Sequence, residues 1–141
     1  MTRYTALLED YARHADLPVQ EFLANQEVVI SGIAIGLAPE GDQDTDDVIF
    51  FSTLGRPSVQ VNQVALMKLM LEANGLWVGT GGCTLGLQAG TGAVLLCARL
   101  SLAVSDARSL SAALQAFKNV ALLWREVVQG KVQPQLSQVA V

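Results

Sequence analysis

The amino-acid sequence predicts an α+β protein in which a twisted antiparallel sheet is flanked by helices. Three observations predict this class. Apolar residues recur at helical spacing near both ends, β-branched residues alternate in the centre, and a glycine-bearing hairpin pattern follows a central helix. The predicted order is α-β-β-β-α-β-β-α, without an internal repeat. At 141 residues, we expect one domain over residues 1–130 and a flexible tail over residues 131–141.

The first and last helices are predicted from apolar stripes. The first stripe has the spacing of one helix face and consists of Tyr4, Leu7, Leu8, Tyr11, Ala12 and Ala15. Pro18 follows it and stops that helix. The last helix is capped by Ser105 or Asp106 and ends before Gly130; its stripe consists of Leu110, Leu114, Phe117, Ala121, Trp124 and Val128.

The strands are predicted from alternation and from turn residues. Residues 27–37 read EVVISGIAIGL and form two strands, with Gly32 at the bend between them. Residues 47–53 form the third strand. Residues 83–88 and 93–102 form a hairpin around the short loop Ala-Gly-Thr-Gly at residues 89–92. The central helix covers residues 62–74, and we expect Gly75 to be its C′ residue.

Composition and charge exclude several classes of function. The chain is 51% hydrophobic and only 16% charged, with a mean hydropathy of +0.37, which indicates apolar surface reserved for a subunit or partner. No apolar run reaches the roughly 18 residues of a membrane span, and the first residues do not resemble a signal peptide, so we expect a cytoplasmic protein. A net charge of −4 with nine scattered basic residues argues against nucleic acid.

The sequence has no set of residues that predicts catalysis, a metal site or a cofactor. His14 is the only histidine, and we expect it near the C-terminus of the first helix, where a cation is favoured. Cys83 and Cys97 lie on predicted strands without a basic neighbour, so we expect reduced, buried and non-functional thiols. We therefore expect no enzyme.

Two segments resemble ligand motifs without matching them. Residues 79–86 are rich in glycine but lack the lysine of a phosphate-binding loop and the glycine spacing of a dinucleotide site. In the acidic segment 40–47, Asp42, Asp44 and Asp46 alternate, but the glycine and glutamate of a calcium loop are missing. We expect a turn and a solvated loop, respectively.

The central helix has more apolar surface than one small sheet can cover. Its polar side chains are Gln63, Lys68 and Glu72, and its other large residues are apolar. Either this helix is buried inside a single core, or one face packs on its own sheet and the other on a second copy. We favour the homodimer. The interface candidates are Val64, Leu66, Met67, Met70, Leu71 and Trp77.

Candidate contacts for a protein partner come from the first helix and the first three strands. They are Leu7, Leu8 and Tyr11 on the helix, and Val29, Ile33, Ile35, Ile49, Phe50 and Phe51 on the strands. The alternative for each is an ordinary core position, because the two faces of a strand cannot be distinguished without its register.

The chain resembles the class I chaperones of bacterial type III secretion, the Tir-chaperone family. The resemblance rests on the element order, on residues 71–102, and on Leu-Leu-Glu-Asp-Tyr-Ala at residues 7–12 followed by Leu17 and Pro18. It extends over residues 4–128. The departures are a long acidic loop and Ser101, where the family often has proline.

The resemblance implies a bacterial, cytoplasmic homodimer that binds the N-terminal segment of a secreted effector. The family holds that segment partly extended and uses no ATP. The residues agree with this, since the sequence predicts surplus apolar surface and no catalytic, metal-binding or cofactor-binding set. The alternative is a dimeric domain that sequesters a protein regulator of secretion or transcription.

Overall fold

The structure, a computed structural model, describes residues 2–41 and 46–132. Its helices are α1 (Arg3–His14), α2 (Val19–Asn25), α3 (Gln63–Asn74) and α4 (Ala107–Val128), with 3-10 turns at Gly75–Trp77 and Leu102–Val104. Its strands are β1 (Glu27–Ile30), β2 (Ile33–Glu40), β3 (Asp47–Gly55), β4 (Thr84–Leu87) and β5 (Val94–Ser101). The predicted α+β class is confirmed. The centre of the acidic segment and most of the predicted tail lie outside the described residues.

Among the described residues, α2 is the one α-helix that the sequence did not predict. It has seven residues, begins directly after Pro18, and buries only Phe22. Such a segment is too short to show a repeating apolar stripe, so periodicity could not reveal it. Pro18 therefore both ends the first helical region and precedes the second.

The five strands form an antiparallel sheet in the order β1-β2-β3-β5-β4. Ile30 pairs with Ile33, so Ser31 and Gly32 form a two-residue hairpin turn. Both have positive φ, 52° and 79°, as a type I′ turn requires. The predicted bend at Gly32 is confirmed. The register sets which side chains face the core, which the sequence alone left open.

The chain divides into two compact units. The first contains Met1–Phe51 and Arg99–Lys118, and the second contains Ser52–Ala98 and Asn119–Val141. Strands β3 and β5 and helix α4 each contribute residues to both units.

The core of the first unit joins α1 and α2 to the inner face of the first strands. Tyr11 and Phe22 pack with ring centroids 5.6 Å apart, and Phe50 meets Phe117 edge to face at 5.9 Å. The Tyr4 hydroxyl donates a hydrogen bond of 2.6 Å to the side-chain oxygen of Gln26, the residue that ends α2. Burial raises the pKa of Tyr4 to about 12, so this donor keeps its proton at neutral pH.

The core of the second unit surrounds Trp124, which has no exposed surface. Its indole Nε1–H donates a buried hydrogen bond of 2.9 Å to the carbonyl of Gly79. Leu66, Leu69, Met70 and Ala73 of α3 are also buried in this unit. A glycine-rich segment thus serves to present a carbonyl to tryptophan, in keeping with the structural interpretation of residues 79–86.

The caps of α4 agree with the sequence pattern. Asp106 accepts a hydrogen bond from the Ser109 N–H at 2.8 Å, while the Asp106 N–H donates to the Ser109 hydroxyl at 2.9 Å. This reciprocal pair identifies Asp106, not Ser105, as the capping residue. At the other end, Gly130 has a φ of 78° and donates its N–H to the carbonyl of Val127.

Candidate protein-interaction surfaces

The first unit exposes apolar side chains on the sheet face opposite its core. Val29 is 63% and Phe51 is 42% exposed. Val29 pairs with Ala34, and Ile49 pairs with Ala38. We call this surface the outer sheet face; its residues are Val29, Ala34, Ala38, Ile49 and Phe51. It is apolar but shallow, because alanines lie between the larger side chains.

Phe51 covers the central glycine of this face. Its ring lies over Gly36, its partner on β2, at the position that a Cβ atom would occupy. An aromatic side chain that covers a strand glycine stiffens the sheet locally. Phe51 therefore presents its ring edge to solvent from a fixed position, which suits a contact surface better than a mobile side chain would.

The edge of β1 is open. Leu37 donates its N–H to the carbonyl of Gln26, so residues 26 and 37 form a hydrogen-bonded pair. Hydrogen-bonded pairs alternate along an antiparallel ladder, so the backbone groups of Glu27 and Val29 point away from β2. In the part of the chain that the structure describes, no strand pairs with that edge. A strand from another chain would find two residues of unpaired backbone there.

The edge of β4, in contrast, is partly closed within the second unit. The side-chain amide of Asn74 donates a hydrogen bond of 2.8 Å to the carbonyl of Leu85 and accepts another of 2.8 Å from the Leu85 N–H. This amide substitutes for one residue of a neighbouring strand. Of the two edge strands of the sheet, β1 is therefore the one better suited to accept another strand.

The second unit exposes apolar residues along and after α3. Val64 and Leu71 lie seven positions apart, on one face of the helix, and are 80% and 73% exposed. The residues that follow the helix are also exposed. We call this set the α3 surface; it consists of Val64, Leu71, Leu76, Trp77 and Val78. Lys68 and Glu72 are exposed on α3 as well.

The end of α3 has an uncommon backbone. Gly75, which we expected to be the C′ residue, is the C-cap residue and has a φ of −62°, outside the left-handed region that is typical of C′. Leu76 and Trp77 adopt left-handed φ values of 58° and 57°. Two bulky residues in this region cost about 1–2 kcal/mol each. The strained turn places two large apolar side chains in solvent, where the isolated unit gains nothing from them.

The structure separates the predicted dimer residues into exposed and buried sets. Val64, Leu71 and Trp77 are exposed and Met67 is half-buried, whereas Leu66 and Met70 are 0% and 4% exposed. The latter two face the core of the second unit, because helical periodicity divides α3 between two faces. We therefore do not retain Leu66 and Met70 as interface candidates.

The predicted partner contacts separate in the same way. Val29 and Phe51 are exposed and Ile49 is half-buried. The others are core residues of the first unit with at most 5% exposure, which is the alternative that the sequence left open: Leu7, Leu8, Tyr11, Ile33, Ile35 and Phe50. Strand alternation explains the division, since Phe50 and Phe51 are adjacent and point to opposite faces.

The sequence did not indicate Ala34 and Ala38 on the outer sheet face, nor Leu76 and Val78 on the α3 surface. Alanines carry little hydrophobic signal, and only the strand register shows that they share a face with Val29. A signal did exist for the other two, because Leu-Trp-Val at residues 76–78 follows a helix end and no periodicity assigns it to a core.

The described residues offer little reactive chemistry. Burial raises the pKa of the Cys83 thiol to about 11, with a smaller contribution from Cys97, and burial also raises the pKa of Cys97. Both thiols are free and protonated at neutral pH. Within residues 2–41 and 46–132, no three His, Cys, Asp or Glu side chains group as a metal site requires. In the same residues, no helix is both long and apolar enough to cross a membrane.

Residues 6–125 match the Tir chaperone protein (CesT) family. The chain belongs to this family. The family is one of chaperones and not of enzymes, which agrees with the absence of a catalytic pattern in the sequence. The resemblance inferred from the sequence is confirmed. No curated protein sequence matches the chain.

Solved structures share this fold at low sequence identity. A chain of the HopA1-SchA chaperone-effector complex has a TM-score of 0.67 and 18% identity, covering 88% of this chain and 94% of its own. A chain of the ExsC-ExsE complex has a TM-score of 0.71 and 16% identity, covering 92% of this chain and 98% of its own. A chain of the complex between the Yersinia pestis type III secretion chaperone SycH and a stable fragment of YscM2 has a TM-score of 0.63 and 20% identity. The match covers 84% of this chain and 97% of that one.

Proposed function

We propose that the protein is a cytoplasmic type III secretion chaperone that binds the N-terminal segment of an effector. It acts as a homodimer, holds the segment extended, and keeps it competent for export without ATP. The observation that carries this proposal is the open edge of β1 next to the exposed outer sheet face. Backbone groups and apolar side chains are then available to the same extended segment.

The open edge supplies the geometry for an extended client. A client strand beside β1 exchanges hydrogen bonds with the backbone of Glu27 and Val29, and its side chains alternate between the two faces of the sheet. Those on the outer side meet Val29 first. Backbone pairing tolerates many sequences, while the apolar contacts select for alternating hydrophobic residues.

The energetics of client binding explain why a dimer is needed. Ordering about 20 residues costs on the order of 20–40 kcal/mol of backbone entropy. At about 25 cal/mol per Å², apolar burial of roughly 800–1,600 Å² only balances that cost. The outer sheet face of one copy has only two well-exposed large residues, Val29 and Phe51. Two copies double the surface that one segment can cover.

The α3 surface supports the dimer. Val64 and Leu71 are exposed on a helix whose other face is already buried in its own unit, and Trp77 is exposed in the turn that follows the helix. Burying each such side chain is worth roughly 1.5–3 kcal/mol, and a two-fold axis uses each twice. The strained turn at Leu76 and Trp77 presents further apolar surface in the same stretch of chain.

The solved structures of similar fold support the type of partner. HopA1-SchA is a chaperone-effector complex, and SycH is a type III secretion chaperone bound to a protein fragment. A chain with the same fold and an open strand edge fits that role.

The test is co-expression with a candidate secreted protein encoded beside the chaperone gene, followed by hydrogen exchange on the purified complex. We expect protection of the Glu27 and Val29 amides and of the client's N-terminal segment, with no effect of added nucleotide. Protection confined to a folded domain of the client would contradict the extended mode. Retention of a transcription or assembly factor instead of a secreted protein would favour the regulatory alternative.

A further inference from the structure

The ring of Phe51 crosses from β3 onto the neighbouring strand β2. Gly36 pairs with Phe51 on one side and with Glu27 of β1 on the other, so these three residues form one row across the outer sheet face. A Cβ atom on Gly36 would clash with Cζ of Phe51 and would lie 2.6 Å from its Cε2. The ring therefore fills the space of the side chain that Gly36 lacks, and it extends toward the open edge of β1.

The backbone of Gly36 does not itself require glycine. Its φ lies outside the left-handed region, in contrast to the φ of 79° at Gly32 in the turn before β2. Glycine inside a strand costs stability relative to alanine, and it is typical of positions that another group approaches closely. At Gly36 that group is the Phe51 ring.

The outer positions of β2 form the floor of a shallow trough. They are Ala34, Gly36 and Ala38, and Val29 of β1 borders the trough beside Ala34. The Phe51 ring lies across the middle of this floor and remains 42% exposed. A segment that lies on the outer sheet face therefore meets one aromatic ring in a fixed position, with small side chains on both sides of it.

The position of the ring brings aromatic surface closer to a strand on the open edge. Neighbouring strands lie about 4.8 Å apart, so a client strand beside β1 is roughly 10 Å from β2 and roughly 14 Å from β3. Long and aromatic side chains interact across about 7–8 Å, and short ones do not. Because the Phe51 ring lies over β2, it shortens the gap by a full strand spacing. A long apolar side chain of the client closes the remainder.

We propose that Gly36 is a positioning residue for client binding: it keeps the Phe51 ring over β2, where the ring receives one long apolar side chain of the client, such as phenylalanine, leucine or methionine. The inference rests on the proposed function, because the client strand on β1 delivers that side chain. Gly36 acts through the ring. Phenylalanine gains most, since an aromatic pair adds to the area that is buried.

Alanine at Gly36 should move the ring and leave the strand intact. The atoms that its Cβ would meet are at the far end of the Phe51 side chain, which can rotate toward solvent, and the φ of Gly36 suits alanine. The matched control is Gly86→Ala on β4. Gly86 also has a φ outside the left-handed region, and a Cβ atom there would meet nothing within 4 Å.

The experiment begins with peptides selected on the full wild-type chain from a displayed library of random dodecapeptides. We expect an alternating apolar pattern with one long apolar residue at a fixed position. Calorimetry with one synthetic peptide then compares the variants. Gly36→Ala and Phe51→Ala should each weaken binding by roughly five- to tenfold, as expected for the loss of an aromatic contact. The double variant should bind no more weakly than Phe51→Ala, and Gly86→Ala should bind as the wild type does.

Nuclear magnetic resonance supplies a readout that a loss of stability would not change. The ring over Gly36 should shift the Hα resonances of this glycine upfield, and the shift should vanish in Phe51→Ala. On binding, the protons of the peptide's long apolar side chain should shift upfield with the wild type and with Gly86→Ala, but not with Gly36→Ala. The Phe51→Ala comparison tests the contact independently of how Gly36→Ala folds.

The outcomes separate this inference from the proposed function. Wild-type peptide affinity in Gly36→Ala overturns the positioning role and leaves extended client binding intact. A greater loss in the double variant than in Phe51→Ala overturns it too, because Gly36 would then act by a route other than the ring. Selection of no peptide by the wild type counts against extended client binding itself and against the positioning role that depends on it.

Discussion

Replacing Leu71 by glutamate tests the proposed dimer at its most accessible point. Leu71 is 73% exposed, so complete burial at an interface is worth about three-quarters of the roughly 1.5–3 kcal/mol for a leucine. Two-fold symmetry uses it twice, which gives about 2–4 kcal/mol per dimer. Because 1.4 kcal/mol is tenfold, the dissociation constant should rise by at least about 30-fold. Burial of the new carboxylate adds to this loss.

Sedimentation velocity over a range of concentrations measures the change. The control is Val104→Glu, which places the same charge at an apolar residue of the first unit that is 82% exposed. We expect Leu71→Glu to sediment as a folded monomer at concentrations where wild type and Val104→Glu are dimers. A monomeric wild type at micromolar concentration, or equal dissociation constants for all three, would refute the reasoning. Met70→Glu is unsuitable because Met70 is buried and its replacement unfolds the unit.

Four further outcomes follow from the structure. Val29→Asp should weaken client binding at least tenfold by calorimetry without unfolding the protein, whereas Leu7→Asp should unfold it, because Leu7 is core. Client binding should have a strongly negative heat-capacity change and fall only modestly with salt. Cys83→Ala/Cys97→Ala should retain client affinity. In the wild type, burial raises the pKa of Cys83 from 9.0 to about 11, so Cys83 should react with a disulfide reagent at pH 8 much more slowly than it does after unfolding. Because the unfolded thiol loses its proton first, the stability that Cys83 contributes should be lost as the pH rises from about 9 to 11. Trp124→Phe should cost about 2–4 kcal/mol in urea denaturation, since it leaves the Gly79 carbonyl buried without its donor.

The sequence predicted the elements better than it predicted their faces. A stripe such as Leu110, Leu114 and Phe117 fixes both a helix and its buried side, because 3.6-residue periodicity relates them directly. The alternation of a strand separates its side chains into two faces but does not show which face is buried. Phe50 and Phe51 are chemically identical, and only pairing with β2 assigns one to the core and the other to solvent.

The remaining errors have local causes. Helix α2 escaped detection because seven residues with one buried position carry no period. Gly75 is the residue that helix-end statistics select for a left-handed conformation, yet Leu76 and Trp77 adopt it. The tertiary hydrogen bonds that hold this region, such as that from Trp124 to Gly79, join residues 45 positions apart, and no local pattern shows them.

An open strand edge exposes a protein to pairing with its own copies, and β1 has features that limit this. It has only four residues, and it is bounded by the left-handed Gln26 at one end and the tight turn at Ser31 at the other. Glu27 lies on the edge itself, so two β1 strands brought together would each present a carboxylate to the other. Glu27→Gln should therefore increase aggregation of the free chaperone. Light scattering of the purified variant measures this effect, and unchanged scattering would show that the short length of β1 is sufficient protection.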